Sequence, residues 1–153
     1  MKSRRALLLR CLAALAPTLE AGPRLRRLRT VVTVPLDRVA DPWRPAEFKA
    51  WCSGRLLRGT LLRAPSDLKA FCRHCPHEIC PVNFAEDPRS VRMESGSAPD
   101  HPLFMCPCHF SVFDPAADGA VISGPAHRGL YRFGLTARRD RVEIREVEEE
   151  ALR

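Results

Sequence analysis

The chain has 153 residues, 45% of them hydrophobic and 28% charged, which suits a single domain with a modest core. The formal net charge is +7, but residues 1–30 account for all of it: Lys2, Arg4, Arg5, Arg10, Arg24, Arg26, Arg27 and Arg29 stand against Glu20 alone. Residues 31–153 then hold 17 basic and 17 acidic groups, so the body is neutral and has no basic face interleaved with aromatics, which argues against a nucleic-acid partner.

Residues 1–30 read as a basic leader. The start, Met1-Lys2-Ser3-Arg4-Arg5-Ala6-Leu7-Leu8-Leu9, resembles a twin-arginine export signal. The apolar run from Ala6 to Ala16 is broken by Arg10 and is shorter than the roughly 20 residues that span a bilayer. Ala14-Leu15-Ala16 has the small-x-small form of a cleavage site, although Pro17 follows it. An ordinary arginine-rich amphipathic helix fits the same residues. The first reading implies a periplasmic or outer-face location, the second a cytoplasmic one.

From residue 31 the pattern is of short strands and turns. Val31 to Leu36 reads as a first strand by its β-branched residues. Asp41-Pro42-Trp43-Arg44-Pro45 is a turn, and Glu47 to Trp51 reads as a short helical turn. Arg55 to Arg63 gives one or two strands, Pro65-Ser66-Asp67 a hairpin turn, and Leu68 to Phe71 a further strand. Residues 85–102 are polar and rich in proline, glycine and serine, a long loop. Leu103-Phe104-Met105 is a strand, Asp118-Gly119 a turn, and Val121-Ile122 a strand again. Leu130–Leu135 and Val142–Val147 alternate as half-buried strands do. Residues 148–153 read as a solvated acidic tail. With fourteen prolines, eight glycines and no long helical pattern, the fold class is all-β, a small sandwich or barrel.

The seven cysteines are Cys11, Cys52, Cys72, Cys75, Cys80, Cys106 and Cys108, five of them between residues 72 and 108. Mixed with histidines, that clustering reads as a metal site. Two segments carry it: Cys75-Pro76-His77-Glu78-Ile79-Cys80, and Cys106-Pro107-Cys108-His109-Phe110-Ser111-Val112-Phe113-Asp114. Cys72-Arg73-His74 also spells C-x-H, so the first segment has two registers; only His77 is followed by a cysteine three positions on.

These two segments resemble those of the Rieske iron–sulfur proteins, most closely the respiratory quinol–cytochrome c oxidoreductase type and the small subunit of arsenite oxidase. The resemblance covers about residues 31–147, with the cluster-binding part at about 71–130. It implies a Rieske-like β-sandwich with a small cluster-binding subdomain, and one [2Fe–2S] cluster. It implies Cys75 and Cys106 as ligands of one iron and His77 and His109 as ligands of the other. Neutral imidazoles in place of thiolates leave the cluster less negative and raise its potential, into a range of roughly −150 to +300 mV. By the same resemblance Cys80 and Cys108 form a disulfide tying the two loops together, which favours an oxidising compartment. Ser111 is then a hydrogen-bond donor to the cluster. Phe113 stands where high-potential relatives have a tyrosine, which implies a lower potential here. Ser123–Leu130 resembles the family's proline loop over the cluster.

Other polar residues are assigned blander roles. His127 and His101 read as surface residues, and Cys52 and Cys72 as small buried residues or free thiols. Two departures bear on the quinol-oxidising type: Phe110 replaces the glycine that usually follows the second histidine, and Glu78 occupies a commonly apolar position. The implied function is one-electron transfer as the iron–sulfur subunit of a respiratory-type complex. Donor and acceptor proteins or a quinol are the partners, and the chain has no small-molecule pocket of its own. A soluble ferredoxin-like carrier is the alternative. A structural zinc module on the same four side chains, and a metal-free disulfide-stapled binding module, are rivals of a different class.

Overall fold

The computed structural model describes residues 22–153 apart from Ser66 and Ser95; the twin-arginine stretch, the Ala14–Ala16 site and Cys11 lie outside the described residues. Ten strands follow in order: β1 (Leu25–Pro35), β2 (Ala46–Cys52), β3 (Arg55–Ala64), β4 (Asp67–Cys72), β5 (Asn83–Ala85), β6 (Leu103–Met105), β7 (Val112–Asp114), β8 (Ala120–Ser123), β9 (Phe133–Ala137) and β10 (Arg141–Glu148). The described helical residues are short 3-10 turns at Leu36–Val39, Pro88–Ser90 and Glu149–Leu152. The fold class is therefore all-β, as the strand and turn signals indicate.

Strand β1 starts six residues before the expected Val31. Its basic first half pairs with the acidic end of β10, with Leu25 opposite Glu148 and Arg27 opposite Glu146, and Arg26 makes a 2.8 Å ion pair with Glu149. Opposite charges across a strand pair compensate for the missing β-branched pattern. Glu47–Trp51 is not a helical turn but the middle of β2. Ala46, Phe48, Ala50 and Cys52 are buried and the residues between them exposed, a period of two that a helix cannot satisfy. The β2–β3 hairpin turns through Ser53 and Gly54, both at positive φ, as a two-residue type I′ turn needs. Strand β9 begins at Phe133 rather than Leu130.

Two three-stranded antiparallel sheets, β1–β10–β9 and β2–β3–β4, face each other across one core. Val34, Phe48, Leu57, Leu61, Phe133, Val142, Ile144 and Val147 fill it. The sheets are joined at one corner, where Cys72 N–H donates to the Tyr131 carbonyl at 2.8 Å and Phe71 bridges Arg132. Gly59 is required here: a Cβ on it would lie 2.2 Å from the Phe48 ring. Cys52 and Cys72 are both buried free thiols in this core, and burial pushes the Cys72 thiol up to about 12.

Between β4 and β9 the chain forms a second lobe, the sheet β5–β6–β7–β8. It packs on the outer face of β3 and β4 through Leu62 and Phe71, which meet Val82, Phe104, Phe113 and Leu130. The Phe71 and Phe104 rings meet edge to face at 5.6 Å. Two expectations of surface position fail in this region. His101 is half-buried: its ring stacks on Trp43 at 4.9 Å and its Nε2 lies 2.8 Å from Asp114 Oδ1, so it pins the long loop to both lobes. Glu148 is not part of a solvated tail but is 2% exposed, because Arg128 and Arg132 both reach its carboxylate.

Glu143 on β10 is likewise buried, and hydrogen bonds from Arg145, Arg138 and Arg141 hold its carboxyl at about 2, against an ordinary 4.5. A carboxyl depressed in the folded state contributes stability that is present above its unfolded value and lost as the pH falls toward the folded one. Acid titration of the melting temperature is expected to show a loss between about pH 4.5 and 2 that Glu143→Gln flattens.

Candidate metal centre

The site is built on two loops at the end of the second lobe. The first leaves β4 and is closed by Cys75 N–H donating to the Cys80 carbonyl at 2.9 Å. The second joins β6 to β7 and is closed the same way, Cys106 N–H to the Ser111 carbonyl at 2.8 Å. Each loop thus spans five residues from its leading cysteine, which fixes where the intervening side chains point. Cys80 and Cys108 form a disulfide across the loops, with a Cα–Cα distance of 6.6 Å.

This closure buries Cys75 and Cys106 and brings the two thiols close enough to influence each other. Burial pushes the Cys75 thiol up, the backbone N–H groups of His77 and Glu78 pull it down, and the adjacent Cys106 pushes it up again. The rings of His77 and His109 lie at the outer end of the loops, 4.8 Å apart and perpendicular. His77 Nδ1 is buried and has no hydrogen-bond partner. Such an orphan costs about 1–3 kcal/mol, and coordination to a metal would remove the cost. Glu78 Oε2 stands 4.0 Å from His109 Nδ1, and the side chain is largely exposed.

The structure brings together Cys75, His77, Cys106, His109, Cys80, Cys108 and Ser111. It excludes Cys72 from the group, since Cys72 belongs to the core of the first lobe; His74 is half-buried, with its pKa lowered by burial and by Arg55 and Arg58. His127 is exposed on the covering loop, as expected. The donors do not converge on a single point. Among the described residues, the histidine nitrogens gather with Glu78, while Cys106 gathers with the disulfide sulfurs, each set within 4.8 Å. One tetrahedral zinc needs all four donors around one centre at about 2.0–2.3 Å. Separate sulfur and nitrogen pairs suit two metal atoms instead.

Ser111 is fully buried and its Oγ accepts the Ala126 N–H at 3.1 Å. The loop carrying Ala126 lies so close that a Cβ on Gly124 would fall 2.5 Å from Ser111 Cα, and Gly124 sits at φ +85°. Phe110 adopts φ 58°, the left-handed conformation that a glycine takes readily. The turn keeps its shape despite the bulky residue, and 46% of the phenylalanine stays exposed. Phe113 is buried on β7.

A thiol pair at the base, an imidazole pair at the rim and a cross-loop disulfide define a binuclear iron–sulfur site on an all-β scaffold. Residues 56–134 match the model of the Rieske [2Fe-2S] domain, and the chain belongs to that family. The family's domain holds one [2Fe–2S] cluster, which is the cofactor of this chain. A Haloferax mediterranei protein named as a respiratory nitrate reductase subunit Rieske is 34% identical over 67 residues. The match takes in 44% of this chain and 24% of that relative, so the chain corresponds to about a quarter of the relative's length.

The disulfide closes a loop of 28 residues in sequence. Cross-linking over that separation is worth about 3–4 kcal/mol in unfolded-chain entropy. Cys80→Ser/Cys108→Ser is expected to lower unfolding stability by that order in a denaturant titration, and an unchanged midpoint would show that the loops hold without it.

Proposed function

We propose that this chain is the Rieske subunit of a respiratory-type oxidoreductase complex, of the quinol–cytochrome c reductase kind. Cys75 and Cys106 hold one iron of the cluster, and His77 and His109 the other. The observation that carries the reading is the buried thiol pair beneath the half-buried His77 and exposed His109 rings, with His77 Nδ1 lacking a partner among the described residues. The similarity to a subunit named for respiratory nitrate reduction supports a place in such a complex.

The bound cluster supplies the one-electron chemistry, taking up and returning a single electron. The protein's own part is to hold and shield it. The Cys75 and Cys106 thiols give up protons on binding, helped at Cys75 by the His77 and Glu78 N–H groups. Pro76, Cys80 and Ser111 are buried and keep water from the sulfur side. The histidine side is open: His109 is exposed, and so are Ile79 on the first loop and Phe110 on the second. A partner docks there and exchanges the electron at the imidazole edge. The Cys80–Cys108 bridge supports an oxidising compartment, in line with export to the periplasm or outer membrane face.

Iron analysis, EPR of the dithionite-reduced protein and a redox titration test this reading. The expected results are two irons per chain, a reduced-state signal, and a midpoint in the lower part of the roughly −150 to +300 mV Rieske window. The low placement follows from Phe113, which has no hydroxyl, and from the Glu78 carboxylate near His109. Cys75→Ser and Cys106→Ser are expected to abolish the signal, and Cys72→Ser to retain it. Zinc without iron would refute the assignment, and a midpoint far below the window would point to a ferredoxin-like carrier.

A further inference from the structure

The loop from Ser123 to Leu130 covers the site, yet between β8 and β9 it has no strand of its own. It is attached at several points: Gly124 packs on Ser111, Ser123 Oγ accepts the Glu94 N–H at 3.0 Å, and Ala126 and Leu130 enter the core of the second lobe. Leu130 N–H donates to the Gly119 carbonyl at 2.9 Å, and Gly129 packs on the same carbonyl. Ala126 N–H donates to Ser111 Oγ. Between these two attachments Arg128 turns inward. Its guanidinium reaches the carboxylates of Glu148 and Glu150 and lies 4.6 Å over the Tyr131 ring.

Glu148 is the unusual member of this group. It is among the largest fully buried side chains, and it sits at the end of β10, where its own N–H donates to the Arg132 carbonyl at 3.0 Å. Arg132 Nε meets its other oxygen at 3.1 Å. A buried carboxylate held by two guanidinium groups is costly to desolvate and strongly destabilising to break, so the arrangement favours one geometry over all others. The next residue, Glu149, donates its N–H to the Arg24 carbonyl and pairs with Arg26, which fixes this end of the chain to β1. Arg128 therefore ties a loop without secondary structure to the first lobe, at the end of β10.

That anchorage has a consequence at Ser111. The hydroxyl is fully buried, its oxygen is engaged by Ala126 N–H, and no acceptor for its proton is found among the described residues. A hydroxyl whose oxygen already accepts keeps its proton free to donate elsewhere.

We propose that Arg128, gripped by Glu148, is a positioning residue that holds the 123–130 loop closed and thereby orients the Ser111 hydroxyl toward the cluster. This rests on the cluster assignment above. Loss of the grip lets the loop open locally, so the Ala126 amide exchanges faster and the Ser111 donor is lost part of the time. A hydrogen bond to the cluster favours the more negative, reduced state, so its loss lowers the potential.

The test compares Arg128→Ala with Arg132→Ala in the cluster-loaded protein. Both take one guanidinium from Glu148, but only Arg128 belongs to the covering loop. Arg128→Ala is expected to speed hydrogen–deuterium exchange at the Ala126 amide by about 10-fold or more, the scale of one charged hydrogen bond, and to lower the midpoint potential. Arg132→Ala is expected to leave both near wild type even where it lowers the melting temperature. Arg128→Lys is expected to restore part of the potential. Equal shifts in both variants, or an unchanged Ala126 amide in Arg128→Ala with a normal EPR signal, overturn the proposal alone. A wild-type protein without iron overturns the cluster assignment and the proposal with it.

Discussion

Two thiols that bury each other are the constraint around which this molecule is arranged. Cys75 and Cys106 come from loops 31 positions apart in sequence, and each is closed by an N–H to carbonyl bond five residues on. Neither loop could hold that shape in isolation, since each is a tight turn with few apolar contacts. The Cys80–Cys108 bridge locks them face to face, the β5–β8 sheet supports them from below, and the 123–130 loop closes the third side. What is left open is the histidine edge, so burial and access are divided between the sulfur and nitrogen ends of one site.

The two lobes divide the work in the same spirit. The first lobe has its own core between two sheets. The second lobe is small, and it borrows its core from the outer face of β3 and β4 through Leu62 and Phe71. Polar contacts complete the join. His101 stacks on Trp43 and meets Asp114, so the long 85–102 segment is stitched to both lobes. Arg128 and Glu148 do the same for the covering loop. Placement of the site therefore draws on long-range contacts as well as on strand pairing within the small sheet.

Phe110 shows how far local preference yields to this arrangement. Left-handed backbone at a bulky residue costs on the order of 1–2 kcal/mol, and an exposed aromatic gains little in return. The turn nevertheless keeps φ 58°, because Cys106 and Ser111 are held from both ends by the loop's closing bond and by Gly124 packed against Ser111.

The residues that carry chemistry were legible in the sequence because their information is local. Spacing within C-x-H-x-x-C and C-x-C-H, taken with the family resemblance, marked Cys75, His77, Cys106, His109, Cys80 and Cys108, and the structure gathers those side chains at one place. Alternating runs such as Val142–Val147 marked strands for the same reason, since side-chain period is a property of neighbouring residues. Where the reading failed, the deciding contact lay far away in sequence. Ala46–Cys52 is strand because its alternate residues face a core built from other strands, and Leu25–Thr30 is strand because the acidic end of β10 lies opposite. His101 and Glu148 are buried because Trp43, Asp114, Arg128 and Arg132 arrive from elsewhere in the chain. Sequence alone determined the all-β class and marked a candidate donor set; only the tertiary structure decided which polar groups are taken out of water, because that depends on which distant partners meet them.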